Sequence, residues 1–96
     1  MHVISKKKIL DFIDSHPQAK TSLESWHKII SKTNFKSFVE LKLTFPSADQ
    51  VSSLTVFNIS GNKYRLIVAI HYNRKIAYIR NVLTHVEYNK NKWRKI

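Results

Sequence analysis

The hydrophobic period of this chain changes once, and that change sets its fold class. Up to about residue 32 the apolar residues recur at helical spacing. Ala19, Leu23, Trp26 and Ile30 fall at i, i+4, i+7 and i+11, a single stripe along one helix. From Leu54 onward the period is two, the spacing of half-buried strands. Helices followed by strands, in a chain of 96 residues, predict one α+β domain spanning residues 1–96.

Local signals place the elements. His2–Ile4 reads as a short opening strand or a lead-in. Ser5 stands where an N-cap would, ahead of Ile9, Leu10, Phe12 and Ile13 on one helical side. Pro17 ends that helix and suits the first turn of the next, which is predicted from about Pro17 to Lys32. Between Phe35 and Ser53 no regular structure is assigned. Phe38, Leu41 and Phe45 suit a helical turn there, and Pro46-Ser47-Ala48-Asp49 reads as a turn. Gly61-Asn62 and Asn73-Arg74 each separate two alternating runs, so a three-strand antiparallel meander follows.

Two-residue loops at both turns fix a register by counting. Asn58 opposes Arg65 across the first hairpin; Arg65 opposes Val82, and Ile67 opposes Arg80, across the second. One face then collects Phe57, Ile59, Tyr64, Leu66, Val68, Ile70, Ala77, Ile79, Asn81 and Leu83, the seat for two N-terminal helices. The other collects Val56, Asn58, Arg65, Ile67, Ala69, His71, Ile76, Tyr78, Arg80 and Val82. On it Arg65 and Arg80 are diagonal neighbours, within reach of a shared anion. The plainer reading has each arginine extending to solvent or pairing with an acid.

Charge narrows the class of partner. Seventeen Lys and Arg against six Asp and Glu give +11, which favours a polyanion. Residues 1–50 carry +3 and residues 51–96 carry +8, with Glu87 the one acid of the second half. The chain has no cysteine, which removes disulfides, thiolate metal sites and cysteine nucleophiles. The five histidines show no metal-ligand spacing, so neither metal nor cofactor is expected. One glycine cannot make a phosphate loop, and no apolar run is long enough to span a membrane. A cytoplasmic protein without membrane partners is expected.

Thr84-His85-Val86-Glu87-Tyr88 carries the candidate chemistry. Thr84 caps a short C-terminal helix, with Glu87 completing a capping box. His85 and Tyr88 then share one side of it. Beside Arg65 and Arg80 they would supply proton-transfer groups and cations, the set that cleavage of RNA by its own 2′-OH requires. The alternative is that both are ordinary packing residues. Phe12, Trp26 and Phe57 read as core, whereas Tyr72, Tyr78 and Trp93 are candidates to stack on bases. The tail from Asn89 holds Lys90, Lys92 and Arg94, either frayed or contacting phosphates.

Two strings of this sequence together are specific: Val56-Phe57-Asn58-Ile59-Ser60-Gly61-Asn62-Lys63-Tyr64-Arg65-Leu66-Ile67, and Tyr78-Ile79-Arg80-Asn81-Val82-Leu83-Thr84-His85-Val86-Glu87-Tyr88. With Met1–Lys7 and the stretch from Phe35 to Ala48, they resemble the HigB toxin family over nearly the whole chain. The resemblance implies a RelE-like fold: two N-terminal helices on a small antiparallel sheet, with a short C-terminal helix. It also implies a ribosome-dependent endoribonuclease that cuts mRNA and is neutralised by a HigA-like antitoxin. Carried over to matching positions, Arg65 becomes the leading phosphate ligand, His85 and Tyr88 candidate acid or base, and Arg80 a stabiliser of transition-state charge. Thr84 and Glu87 become supporting residues, and Lys36, Asn58, Lys63, Lys90, Lys92 and Arg94 contacts to RNA. Asn58 stands where better-known RelE relatives carry lysine, which leaves the general base open. The rival readings are a non-catalytic RNA- or ribosome-binding module, and a degenerate toxin acting through its antitoxin complex.

Overall fold

A computed structural model describes residues 1–90 and Trp93. The helical stripe forms as its spacing requires: Ala19, Leu23, Trp26 and Ile30 are all buried. The helix that carries it, α2 (Lys20–Lys32), follows a 3-10 turn over Pro17–Ala19, so the Pro17 start is tighter than an α-turn. The preceding helix, α1 (Lys7–Ser15), buries Ile9 and half-buries Phe12 and Ile13. Ser5 does not cap α1. It lies at φ +70°, reversing the chain out of the first strand, and Lys6 takes the N-cap position with no side-chain bond.

The sheet has five strands in the order β1-β5-β4-β3-β2: β1 (His2–Ile4), β2 (Asp49–Val51), β3 (Leu54–Ile59), β4 (Tyr64–His71) and β5 (Ile76–Thr84). The expected meander β3-β4-β5 is its centre, flanked by two short strands. The opening strand exists and pairs parallel to β5, through His2–Ile76, Val3–Ala77 and Ile4–Tyr78. The sheet is therefore mixed, where a wholly antiparallel one was expected. The segment 35–53 is also more regular than expected. Helix α3 (Phe38–Thr44) is capped by Ser37, whose side chain accepts from the Glu40 N–H at 3.2 Å. Beyond the turn at Pro46, β2 pairs with β3 through a tight reversal with Ser52 at φ +57°.

Between β3 and β4 the predicted register holds, with Asn58 opposite Arg65. The reversal there needs left-handed backbone at Ser60 (φ +54°) and Gly61 (φ +68°), and glycine enters that region without strain. Between β4 and β5 the register holds only near the turn, where His71 opposes Ile76 and Val68 opposes Ile79. Then it slips: Ile67 opposes Asn81, Arg65 opposes Leu83, and Arg80 has no partner across the ladder. This is a β-bulge, and one extra residue exchanges the faces of everything beyond it. Val82 joins the helix-side core, while Leu83 joins a smaller cluster with Val56, Ile67 and Trp93 on the far face. Both placements reverse the sequence expectation, as does that of Asn81, which follows Ile67 to the far face. Arg65 and Arg80 are not diagonal neighbours.

The main core lies between the sheet and α1 and α2. Trp26 meets Phe57 edge to face at 5.4 Å between ring centroids, and Phe12 meets Tyr64 likewise at 5.3 Å. The Met1 α-amino group donates to the Ile30 and Thr33 carbonyls at 2.8 and 2.9 Å, placing a cation on the C-terminal end of α2. No helix among the described residues is long and apolar enough to cross a membrane.

Candidate active site

At the far-face end of β4, near the Gly61 turn, Arg65 is buried, with 8% of its surface exposed. Its guanidinium is held by a ring of neutral groups. Nη1 donates to the Asn62 and Tyr64 carbonyls, both at 3.1 Å. Nη2 donates to Asn62 Oδ1 at 3.2 Å and to His85 Nδ1 at 3.3 Å. Below it lies the Tyr88 ring, 5.3 Å from Cζ to the ring centroid, a cation–π contact. No carboxylate stands among these partners, so the charge is desolvated without being neutralised. The positive charge favours a nearby anion through its field, while the Nη donors are taken by these partners.

His85 and Tyr88 reach Arg65 because of how helix α4 (His85–Asn89) starts. Thr84 Oγ1 accepts from the Glu87 N–H at 3.2 Å, and Glu87 Oε1 accepts from the Thr84 N–H at 2.9 Å. This is the capping box read from the sequence. It consumes the Glu87 carboxylate locally, which keeps the nearest acid away from the guanidinium. The His85 N–H donates to the Lys63 carbonyl at 3.0 Å, tying the start of α4 to the β3–β4 loop. His85 and Tyr88, three apart on one helical side, then flank the same guanidinium.

Tyr88 is fixed from its other side as well. Trp93 stacks on it at 5.1 Å with planes 14° apart, and donates from Nε1 to the Tyr88 carbonyl at 3.0 Å. Trp93 is buried, 5% exposed, against Val56 and Ile67. That corrects its reading as a base-stacking residue: it packs the far face. Tyr72 is half-buried against the main core, and Tyr78 is exposed.

The other candidates are spread along the sheet. Asn58 is half-buried beside Arg65 on β3, and Lys63 is exposed in the adjoining loop. Lys90 is exposed just past α4. Lys92 and Arg94 lie outside the described residues. Arg80 faces a different neighbourhood, a recess shared with Lys8, Asp11, Phe12, Asn81 and Val82, and its carbonyl accepts from Lys8 Nζ at 2.9 Å. Lys36 lies at the opposite end of β4, lining an open recess with His71, Tyr72 and Lys75. Six residues of strand put that end roughly 20 Å from Arg65. Sequence reasoning missed Asn62, which holds Arg65 twice. It was read only as a turn residue, and its three-residue spacing from Arg65 was the available signal.

Among the described residues, no group of three or more His, Asp or Glu side chains is arranged to hold a metal ion. What the cluster offers is a buried cation, an imidazole and a phenol converging on one point under a strongly basic surface.

Comparison with known proteins bears on that arrangement. Residues 19–91 match the HigB toxin family, the RelE-like toxic component of a toxin–antitoxin system. The chain is 38% identical over 92 residues to the mRNA interferase toxin HigB of Escherichia coli (strain K12), covering 93% of this chain and 88% of that protein. The mRNA interferase HigB of Shigella flexneri matches with the same identity and coverage. The mRNA interferase HigB of Escherichia coli O6:H1 is 28% identical over 93 residues, covering 94% of this chain and 90% of that protein. The family match takes in α2, the whole β3-β4-β5 meander and α4, the elements that build the Arg65 cluster. This chain belongs to the HigB family of RelE-like toxins of toxin–antitoxin systems.

Proposed function

We propose that this protein is a translation-inhibiting endoribonuclease that cuts mRNA on the ribosome, in the cytoplasm, and that a HigA-like antitoxin neutralises it. The reading rests on one observation: a buried Arg65, with no carboxylate among its partners, in contact with both His85 and Tyr88. The relatives named as mRNA interferases agree with it.

The proposed step is transesterification needing neither metal nor cofactor. The 2′-oxygen bonds to the adjacent phosphorus as the P–O5′ bond breaks. One proton leaves the 2′-OH and one reaches the 5′-oxygen, giving a 2′,3′-cyclic phosphate and a 5′-OH end. The developing phosphorane charge is what the Arg65 region stabilises. Orientation of the two ribose–phosphate units is supplied by the ribosome, which converts a poorly aligned flexible strand into a reactive one. Asn58, Lys63 and Lys90 lie on or beside the cluster and contact RNA there. Lys36 and Arg80 make separate backbone contacts, and Lys92 and Arg94 add positive charge for the RNA. Residues 1–96 act as one domain in this reading.

Mapping of mRNA 5′ ends in a reconstituted translation reaction, beside a ribosome-free control, tests the proposal. New 5′-OH ends at codon positions that need ribosomes are the expected result. Ribosome binding without new ends would leave a non-catalytic binding module. Ends in the control would mean a free ribonuclease.

A further inference from the structure

The contact between Arg65 and His85 has a direction. A guanidinium has five N–H donors and no acceptor. At 3.3 Å from Arg65 Nη2, His85 Nδ1 must therefore present its lone pair. Its ring proton then sits on Nε2, the nitrogen of this exposed residue that makes no hydrogen bond among the described residues. From this geometry we infer that His85 works as a neutral hydrogen-bond donor, oriented by Arg65, and transfers no proton during cleavage. The inference rests on the ribonuclease reading and sharpens one residue's part in it.

The argument is one of lone pairs. To act as a base, His85 would need a free lone pair on Nε2, which moves its proton to Nδ1 and sets it against the Arg65 N–H. To act as an acid it would start with protons on both nitrogens, and the same two donors would collide. Both proton-transfer roles thus require the Arg65 contact to break. Hydrogen-bond donation from Nε2 uses the contact as it stands. A neutral imidazole so held can donate to a phosphoryl oxygen and follow its charge as it grows.

Among the described residues, no carboxylate is bonded to the His85 ring. Arg65 faces the ring from β4, and the Lys63 carbonyl from the β3–β4 loop takes the His85 main-chain N–H. On the ring's own helix, Glu87 is engaged by the Thr84 N–H and Tyr88 lies against Arg65. Arg65 in turn is a positioning residue for His85. Two of its N–H bonds go to main-chain carbonyls and one to Asn62 Oδ1, so its Nη atoms are largely committed before any phosphate arrives.

Two experiments on the full chain test the inference independently. In the first, two-bond 1H–15N correlation of the imidazole rings at pH 7.5 is recorded on 15N-labelled protein, with His85 assigned by its absence from a His85→Gln spectrum. The expected pattern is a single Nε2–H tautomer, lost in Arg65→Lys. An Nδ1–H tautomer, a mixture of tautomers or an imidazolium would overturn the proposal. In the second, cleavage on ribosomes is compared for His85→Ala and His85→Gln, with thermal unfolding as the control for folding. Glutamine places an amide donor near the position of Nε2 but cannot shuttle a proton at neutral pH. It should stay within about tenfold of wild type, while alanine falls by about a hundredfold or more. Equal loss in the two folded variants would overturn the donor role. If wild type itself fails to cut, the ribonuclease reading has failed, and the ring spectrum still decides the tautomer.

Discussion

Asn62 holds Arg65 at two points: its carbonyl receives Nη1 at 3.1 Å and its Oδ1 receives Nη2 at 3.2 Å. A turn residue thereby sets the pose of a buried cation, and through it the pose of His85.

Replacing Asn62 by alanine keeps the carbonyl and removes Oδ1. Stability should fall by about 1 kcal/mol, because one donor of the buried Arg65 guanidinium loses its partner. Cleavage on ribosomes should fall about tenfold, because Arg65 loses one of the bonds that orient it. Asn62→Asp should have the opposite balance, with a higher unfolding temperature from the new ion pair and weaker cleavage from the neutralised cation. Calorimetry together with the 5′-end assay separates the two effects.

For Arg65 itself, the expectation is a loss of cleavage far larger than the loss of stability. Arg65→Ala should cut at least about a hundredfold more slowly while still unfolding cooperatively. Arg65→Lys keeps the charge, but one ammonium cannot reach both Asn62 oxygens, Tyr64 and His85 together. It should remain at least about tenfold slower than wild type. Wild-type rates in a folded Arg65→Ala protein would remove Arg65 from the site.

The capping box at Thr84 gives a stability test that also reads the site. Thr84→Ala should cost about 1 kcal/mol, or roughly 4–8 °C in unfolding temperature for a chain of this size. Cleavage should fall with it, since α4 carries both His85 and Tyr88. Thr84→Ser keeps the accepting oxygen and should retain both properties. An unfolding temperature for alanine equal to that of serine would show the cap to be energetically idle.

His27 supplies a pH test away from the site. Burial in the groove between α1 and α2, and then the charge of Lys6, lower its pKa below the ordinary 6.5. The unfolded chain takes up a proton where the folded one resists it. Its contribution is therefore whole above about pH 6.5 and is lost as the pH falls through and below that value. Wild type should lose more unfolding temperature between pH 7.5 and 5.5 than His27→Gln does. Parallel pH profiles for the two proteins would contradict the assignment.

How much of this could be read beforehand depended on whether a feature was local. The α2 stripe from Ala19 to Ile30, the Asn58–Arg65 pairing and the Thr84–Glu87 cap are each set within a few residues, and each was legible. The bulge was not, because counting from a turn assumes an unbroken ladder. Its trace is the adjacent polar pair Arg80-Asn81, where alternation lapses, and overlooking it put Val82 and Leu83 on the wrong faces. The stack of Trp93 on Tyr88 joins residues five apart by packing against Val56 and Ile67, which no spacing rule contains. In the Arg65 cluster, residue types and position were readable from motif. The direction of the bond to His85 needed the three-dimensional arrangement.

The parallel pairing of β1 with β5 has a consequence for how such a protein is made. The strand His2–Ile4 finds its ladder partners only once Ile76–Tyr78 have been polymerised, and His85 and Tyr88 come later still. A growing polypeptide that has passed α2 and α3 still has an open sheet edge and none of the α4 side chains that face Arg65. The order of synthesis therefore makes Arg65 before the two α4 side chains that flank it, and the cluster cannot close until that helix has followed β5.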